Sequence, residues 1–288
     1  MNAMNEIQTP APAAVAARTP GSKSATRRIG EKALLQLAPF IFGFFMLAFW
    51  EIMVRVNDVP VYLLPGPILI AKTLYTDFGS LWPSLVITSR ITIEAFLIAA
   101  VGGLLLGMLF TSSRWIERCL FPYAVVLQVT PVVAIAPLII IWAKDTQLAL
   151  LICAWLVAFF PVVSNAAVGL NSTDRNLINL FQLYGASKPQ AMWLLKLPSA
   201  MPYFLAGLRI SGGLALIGAV VAEFVAGTGG TQSGLAYRIL EAGYRLQIPR
   251  MFAALFLISA TGILIFFVLS LLSRFILRHW HESAMGDR

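Results

Sequence analysis

Six apolar runs separated by short polar stretches set the rhythm of this chain: about Leu34 to Val54, Leu85 to Phe110, Leu120 to Trp142, Leu148 to Leu170, Tyr203 to Val225 and Phe252 to Leu272. Each supplies the ~20 apolar residues with which a helix crosses hydrocarbon. Between the fourth and fifth runs the pattern changes, and Asn171 to Pro202 reads as both helical and wet. There Leu177, Ile178, Leu180, Phe181 and Tyr184 share one helical face, and Arg175, Asn179 and Gln182 share the other, with Asp174 or Thr173 as N-cap. Gly185 stops that helix, because glycine tolerates the left-handed backbone of a helix end. Ser187 and Gln190 then form a capping box for a second helix whose first turn accepts Pro189. The stretch predicts a helix, a glycine turn and a second helix.

Polar residues punctuate the apolar runs. Prolines 60, 65 and 67 predict a rigid turn, followed by a short surface helix from Ile68 to Phe78 before the second span. Arg90 and Glu94, four residues apart in that span, are expected to pair with each other, because charges at such depth are costly alone. Gly102, Gly103 and Gly107 suit close helix packing. The third span is interrupted by Gln128, Thr130, Pro131 and Pro137, and the fourth carries Pro161, Ser164 and Asn165. Prolines free backbone carbonyls, which is tolerated where a helix faces protein or a water-filled cavity. Two readings therefore stay open: helices that line a solute path, or kinked packing helices whose polar groups bond to neighbours. Arg209 is placed to snorkel toward one end of the fifth span, and Glu223 toward the other end shapes an outer gate or the bundle itself. Gln128, Thr130, Ser164, Asn165 and Glu223 are the candidate path residues.

Composition turns the six runs into a class. Hydrophobic residues make up 59% of the chain and charged ones 12%, against about a quarter charged in soluble domains. The chain is read as an all-α integral membrane protein: a tail over 1–30, a six-helix domain over 31–280 and a second tail over 281–288. No soluble catalytic or nucleotide-binding domain fits beside the spans. Arg27 and Arg28 could open a signal peptide, but the apolar run after them is long and lacks a cleavage site, so an uncleaved span is expected. The net charge of +8 is read as orientation: with both termini cytoplasmic, basic residues on the inside outnumber those on the outside about twofold. That topology puts 171–202 in the cytoplasm.

Other chemistries find little support. Cys119 and Cys153 lie in apolar surroundings, and His279 with His281 is too small a set for a metal site. The glycines at 227, 229, 230 and 234 lack the Gly-Lys-Ser/Thr ending of a phosphate loop. Arg238, Arg245 and Arg250 with Glu241 read as a salt-bridged surface helix, or as a positive surface for an acidic partner or an anion. No catalytic residue, metal or resident cofactor is expected. Glu94 and Glu223 keep an ion-coupled secondary transporter as the alternative, although no inverted repeat accompanies them.

The wet stretch resembles the EAA loop of binding-protein-dependent ABC importer permeases: Glu-Ala-Ala, three residues, Gly, nine residues, Ile, one residue, Leu-Pro. Gly185, Leu195 in the place of Ile, Leu197 and Pro198 match that spacing without a gap, while Asn179, Leu180 and Phe181 stand in the Glu-Ala-Ala positions. Asn179 can offer only a neutral hydrogen bond where the family has a carboxylate. The resemblance extends from about Pro60 to the end of the sixth span, with a Leu-Pro-x-Pro segment before the second span and Ser233, Gly234, Leu235 and Tyr237 after the fifth. It points to the branch that imports nitrate, sulfonates, taurine and pyrimidine or thiamine precursors. It implies a type I importer fold with six transmembrane helices and a cytoplasmic coupling helix pair, in a bacterial inner membrane. The implied partners are a cytoplasmic ATPase dimer that binds ATP and Mg, an external substrate-binding protein and a second copy of the chain. By the same resemblance Asn179, Leu180, Phe181, Tyr184, Gly185, Ala186, Ser187, Lys188, Leu195, Leu197 and Pro198 carry the coupling to the ATPase.

Overall fold

An apolar run of this length satisfies its backbone groups within its own segment, without water, by forming a helix. The computed structural model describes residues 25–227 and 233–278, and over these no strand occurs. The tail at 1–24, Gly229, Gly230, His279, His281 and the tail at 281–288 lie outside the described residues. The helices are α1 (Ala25–Val56), α2 (Pro67–Ser112), α3 (Arg114–Val129), α4 (Val132–Ala143), α5 (Thr146–Asn171), α6 (Arg175–Leu183), α7 (Lys188–Ala191), α8 (Leu197–Ala226), α9 (Leu235–Tyr244) and α10 (Ile248–Leu277). Helix already begins at Ala25, inside the expected tail. Of the described residues, those up to Ile52, which hold most of α1, fall in one unit and those from Met53 in a second.

Two expectations change. The surface helix from Ile68 to Phe78 does not stand alone, since α2 runs without a break through Pro83 for 46 residues. Its first half is held by packing: Leu81, with Ile70, Leu74 and Leu85, sits against Leu235, Ala253, Ala254 and Leu257 of α9 and α10. Against that support one missing N–H at Pro83 is a small loss. The third span, by contrast, is broken into α3 and α4, which meet at 101°. Pro131 has no N–H to continue the ladder, and the Thr130 hydroxyl donates to the Val126 carbonyl at 2.7 Å, closing α3 there.

Packing shows that the bent pair acts as one crossing. Along the α2–α5 seam, Ile91 and Ala95 lie with Leu150 and Cys153, Ala99 with Ala158, Gly103 against Val162 and Gly107 against Ala166. Both numbers rise together, so α2 and α5 are parallel. The chain must therefore return to the starting end between them. Ala124 of α3 packs with Phe110 and Val163 at one end, and Ala136 of α4 packs with Ile91 and Leu150 at the other. The pair makes the return, and with it the five long apolar helices become six crossings.

The core is a small-residue seam between α5 and α8, which run antiparallel. A Cβ at Gly169 would meet the Ala200 backbone, one at Gly207 would meet Asn165, and one at Gly218 would meet the Ala154 Cα at 2.9 Å. Ser211 donates to the Ala158 carbonyl across the seam at 2.7 Å. In lipid, association gains little from excluding water, so backbones this close supply the van der Waals contact that holds the pair. The α6–α7 loop emerges at the Gly169–Ala200 end of this seam, and Glu223 and α9 lie at the opposite end.

Candidate functional site

Local sequence builds the loop between α5 and α8 almost unaided. Asp174, not Thr173, caps α6 by accepting from the Asn176 N–H at 2.8 Å. The helix ends in a Schellman motif: Gly185 has φ +71°, its N–H reaches the Gln182 carbonyl at 3.0 Å, and the Ala186 N–H reaches Phe181 at 2.9 Å. Ser187 and Gln190 then close both bonds of the capping box, at 2.8 and 3.4 Å. The turn between the two helices is thus fixed by four hydrogen bonds within a few residues.

The second helix of the pair is not separate from the fifth span. After the single turn of α7, residues Met192–Lys196 form a π-helical turn that runs straight into α8. The Leu197 N–H reaches back to Met192, one residue further than in an α-helix. Pro198 explains the widening, since its ring crowds the carbonyl four residues earlier and donates no bond. The fifth span therefore begins at the glycine turn itself, and loop and span are one continuous lever.

The sequence-derived coupling residues fall into two groups on that lever. Asn179, Leu180, Tyr184, Gly185, Ser187 and Lys188 are exposed, with Phe181 and Ala186 half-buried between them. Leu195 is 7% exposed and, with the half-buried Leu197 and Pro198, forms the root where the lever enters the bundle. Trp193 and Leu194 stay largely exposed beside this root. A cavity of about 410 Å³ opens under the loop, lined by Thr173, Asp174, Leu177, Pro198, Pro202 and Tyr203.

The candidate path residues do not converge on one site. Gln128 borders a cavity of about 180 Å³ among Phe110, Tyr123, Phe159 and Phe160. Thr130 serves the break between α3 and α4. Asn165 donates to the Pro161 carbonyl at 2.8 Å and packs against Gly207, while Ser164 is half-buried beside it on α5. Glu223 lies about 24 Å further along α8 than Gly207, at 1.5 Å per residue, and is 3% exposed. Its carboxylate accepts from Thr88 at 2.8 Å and from the Ala236 N–H at 3.0 Å.

Arg90 and Glu94 pair as expected, at 2.7 Å, beside a cavity of about 330 Å³ that Asp145 and Gln147 also line. Missed in the sequence was a polar stripe on α2. Asp77, Ser80, Ser84 and Thr88 lie on one face at three- and four-residue steps, and Arg238 binds Ser84 (3.0 Å) while Arg250 binds Ser80 (3.1 Å). The spacing was legible, but its partners come from more than 140 residues away.

At that end Arg238 donates to Glu241 at 2.8 Å, and this bond, aided by the charges of Arg238, Arg245 and Arg250, holds the Glu241 carboxyl below its ordinary range against the opposing effect of burial. A lowered carboxyl pKa contributes stability that is complete above the unfolded value of about 4.3 and is lost as pH falls through the folded value. The difference in Tm between the wild type and Glu241→Gln should be largest near neutral pH and close on acidification below about pH 4. A difference independent of pH would show that the carboxylate charge contributes nothing.

Six apolar crossings among the described residues, with an exposed helical loop continuous with one of them, define a polytopic membrane protein. Residues 99–282 match the family described as binding-protein-dependent transport system inner membrane component. The chain is 34% identical over 248 residues to the formylaminopyrimidine transport permease protein ThiX of Halalkalibacterium halodurans, covering 86% of this chain and 97% of that protein. It is 32% identical to a probable ABC transporter permease protein of Haemophilus influenzae, covering 83% and 97%. With the taurine transport system permease protein TauC of Escherichia coli the identity is 28%, covering 92% and 93%. The fold matches a chain of the inward-facing MetNI methionine ABC transporter with a TM-score of 0.55 at 18% identity, over 73% of this chain and 97% of that one. The chain belongs to the binding-protein-dependent family of ABC importer permeases. It is a multi-pass inner-membrane transport subunit and not an enzyme, and its family implies an ATPase and a substrate-binding protein as partners. The ion-coupled carrier is set aside.

Proposed function

We propose that the chain works as a homodimer that carries a small solute inward by alternating access, with both termini and the α6–α7 lever in the cytoplasm. The observation that carries this reading is the lever's exposed apolar surface. Leu180, Leu183 and Tyr184 are 45%, 85% and 83% exposed, on a helix of 9 residues and its C-cap, too short to cross the bilayer. Apolar groups clustered on a wet loop mark a protein partner. The partner is the ATPase dimer, which holds ATP and Mg. Closure of that dimer displaces the lever, and the continuous helix from Lys188 to Ala226 passes the displacement into α8 and, across the small-residue seam, into α5. The energy comes from differential binding of the ATPase to the two permease states.

The solute belongs to the group named for the relatives: formylaminopyrimidine, taurine, an aliphatic sulfonate or nitrate. Proteoliposomes holding the chain with its ATPase and binding protein, offered each of these in labelled form, are expected to take up one of them only when ATP is supplied on the ATPase side. Uptake driven by a proton or sodium gradient without ATP would overturn the reading.

A further inference from the structure

Glu223 is a buried carboxyl, 3% exposed, that the transport scheme leaves without a task. Its surroundings are those of a helix cap assembled from three helices. α9 has no cap of its own, because Gly234 at the cap position offers no side chain. Its first two N–H groups are taken up from elsewhere: Leu235 donates to the Thr88 hydroxyl at 2.9 Å, and Ala236 donates to the Glu223 carboxylate at 3.0 Å. The Thr88 hydroxyl in turn donates to the other carboxylate oxygen at 2.8 Å. A carboxylate at a helix N-terminus also meets the positive end of the helix dipole. The Glu223 backbone carbonyl meanwhile accepts from the Gly227 N–H at 3.1 Å, closing α8. One residue thus ends α8, starts α9 and holds α2.

Gly234 shows how closely this fits. Its backbone, φ −81° and ψ −175°, is open to any residue, so the glycine answers no conformational need. A Cβ there would overlap the Glu223 carboxylate. The three atoms nearest to such a Cβ all belong to that carboxylate.

We propose that Glu223 is a positioning residue: it latches α9 onto α2 and onto the far end of α8, so that α9 is displaced whenever α8 is displaced from the end where the lever joins it. α8 is continuous from Leu197 to Ala226, which places the latch about 39 Å along the helix from its first residue. The Arg238–Ser84 and Arg250–Ser80 bonds extend the same attachment along α2. α9 thereby becomes the part of the opposite face that answers to the lever. The transmission rests on the proposed coupling to the ATPase, while the latch itself does not.

The latch is tested on the full-length chain in nanodiscs by hydrogen exchange at Leu235 to Arg238. Glu223→Ala is expected to speed exchange there at least about tenfold, the scale of losing a hydrogen bond to a charge. Gly234→Ala should do the same by expelling the carboxylate. Glu223→Ala/Gly234→Ala should exchange no faster than Glu223→Ala, because the carboxylate that a Cβ at 234 would overlap is then gone. If the glycine change multiplies the rate equally in both backgrounds, or if Glu223→Ala leaves α9 protected, the latch is overturned. Thr88→Val, which keeps the volume and removes the hydroxyl, supplies the same comparison should Gly234→Ala fail to insert.

Transmission is tested in the complex with the ATPase, with and without ATP and vanadate. Exchange in α9 should respond to the nucleotide in the wild type and not in Glu223→Ala. An unresponsive wild type, or a response that survives in Glu223→Ala, overturns the transmission. An ATPase that does not bind the chain at all overturns the coupling and leaves the latch result standing.

Discussion

Gly169→Leu is expected to leave no folded protein to purify, whereas Gly213→Ala should be indistinguishable from the wild type. The contrast is geometric. A Cβ at Gly169 would lie 2.8 Å from the Tyr203 Cβ, 3.0 Å from the Ala200 carbonyl oxygen and 3.1 Å from the Ala200 Cα, while one at Gly213 would meet nothing within 4 Å. Two of the three atoms near Gly169 are backbone, so no rotamer change relieves them. Inserting one methylene into a packed core typically costs about 1–3 kcal/mol. Leucine adds several carbons at the seam on which α5 and α8 depend, and the cost should exceed a typical domain stability of ~5–15 kcal/mol only if the helices cannot part locally. They cannot part locally, because Gly207 and Gly218 fix the same two helices further along the seam. The measurement is the yield of monodisperse protein in detergent, with Tm for whatever survives. A Gly169→Leu protein of normal yield and Tm would show that the seam does not hold the fold.

Gly185→Pro should have the opposite profile, a folded bundle that no longer couples. A Cβ at Gly185 meets nothing within 4 Å, so packing is indifferent to the side chain. The backbone is not: φ is +71°, and proline fixes it near −65° while removing the N–H that reaches Gln182. The Schellman turn is lost, and with it the angle between α6 and the root at Leu195. Left-handed backbone costs a non-glycine residue roughly 1–2 kcal/mol, so Gly185→Ala should be intermediate and Gly185→Asn the mildest. Substrate-stimulated ATP hydrolysis by the complex is expected to fall to the unstimulated level in the proline variant, with Tm of the membrane domain little changed. Normal stimulation in Gly185→Pro would remove the turn from the mechanism.

These two glycines mark different kinds of legibility. Gly185 could be read from the chain because everything that makes it necessary lies within about a turn of it. The same holds for the caps at Asp174 and Ser187 and for the Arg90–Glu94 pair, all bonds between near neighbours in sequence. Gly169 and Gly234 carry no local sign of their task. Their constraints come from Ala200 and from Glu223, and the residues that enclose Glu223 come from α2 and α9. Glu223 could therefore be read from sequence either as a gate or as a bundle residue. Pro83 and Pro131 give the same lesson: one leaves its helix intact and the other breaks it, because only the first is flanked by the packing of α9 and α10.

The sequence by itself determined the apolar runs, their helical state and the capped, glycine-turned lever between the fourth and fifth spans. Those depend on transfer into hydrocarbon and on hydrogen bonds closed within a few residues. Tertiary structure decided that α7 runs without a joint into the fifth span, that α3 and α4 make a single bent crossing, and that the Glu223 carboxylate accepts an N–H from the first turn of α9. Each of these depends on which backbones approach one another, and a pattern along one helix records its own faces without recording the neighbour that each face will meet.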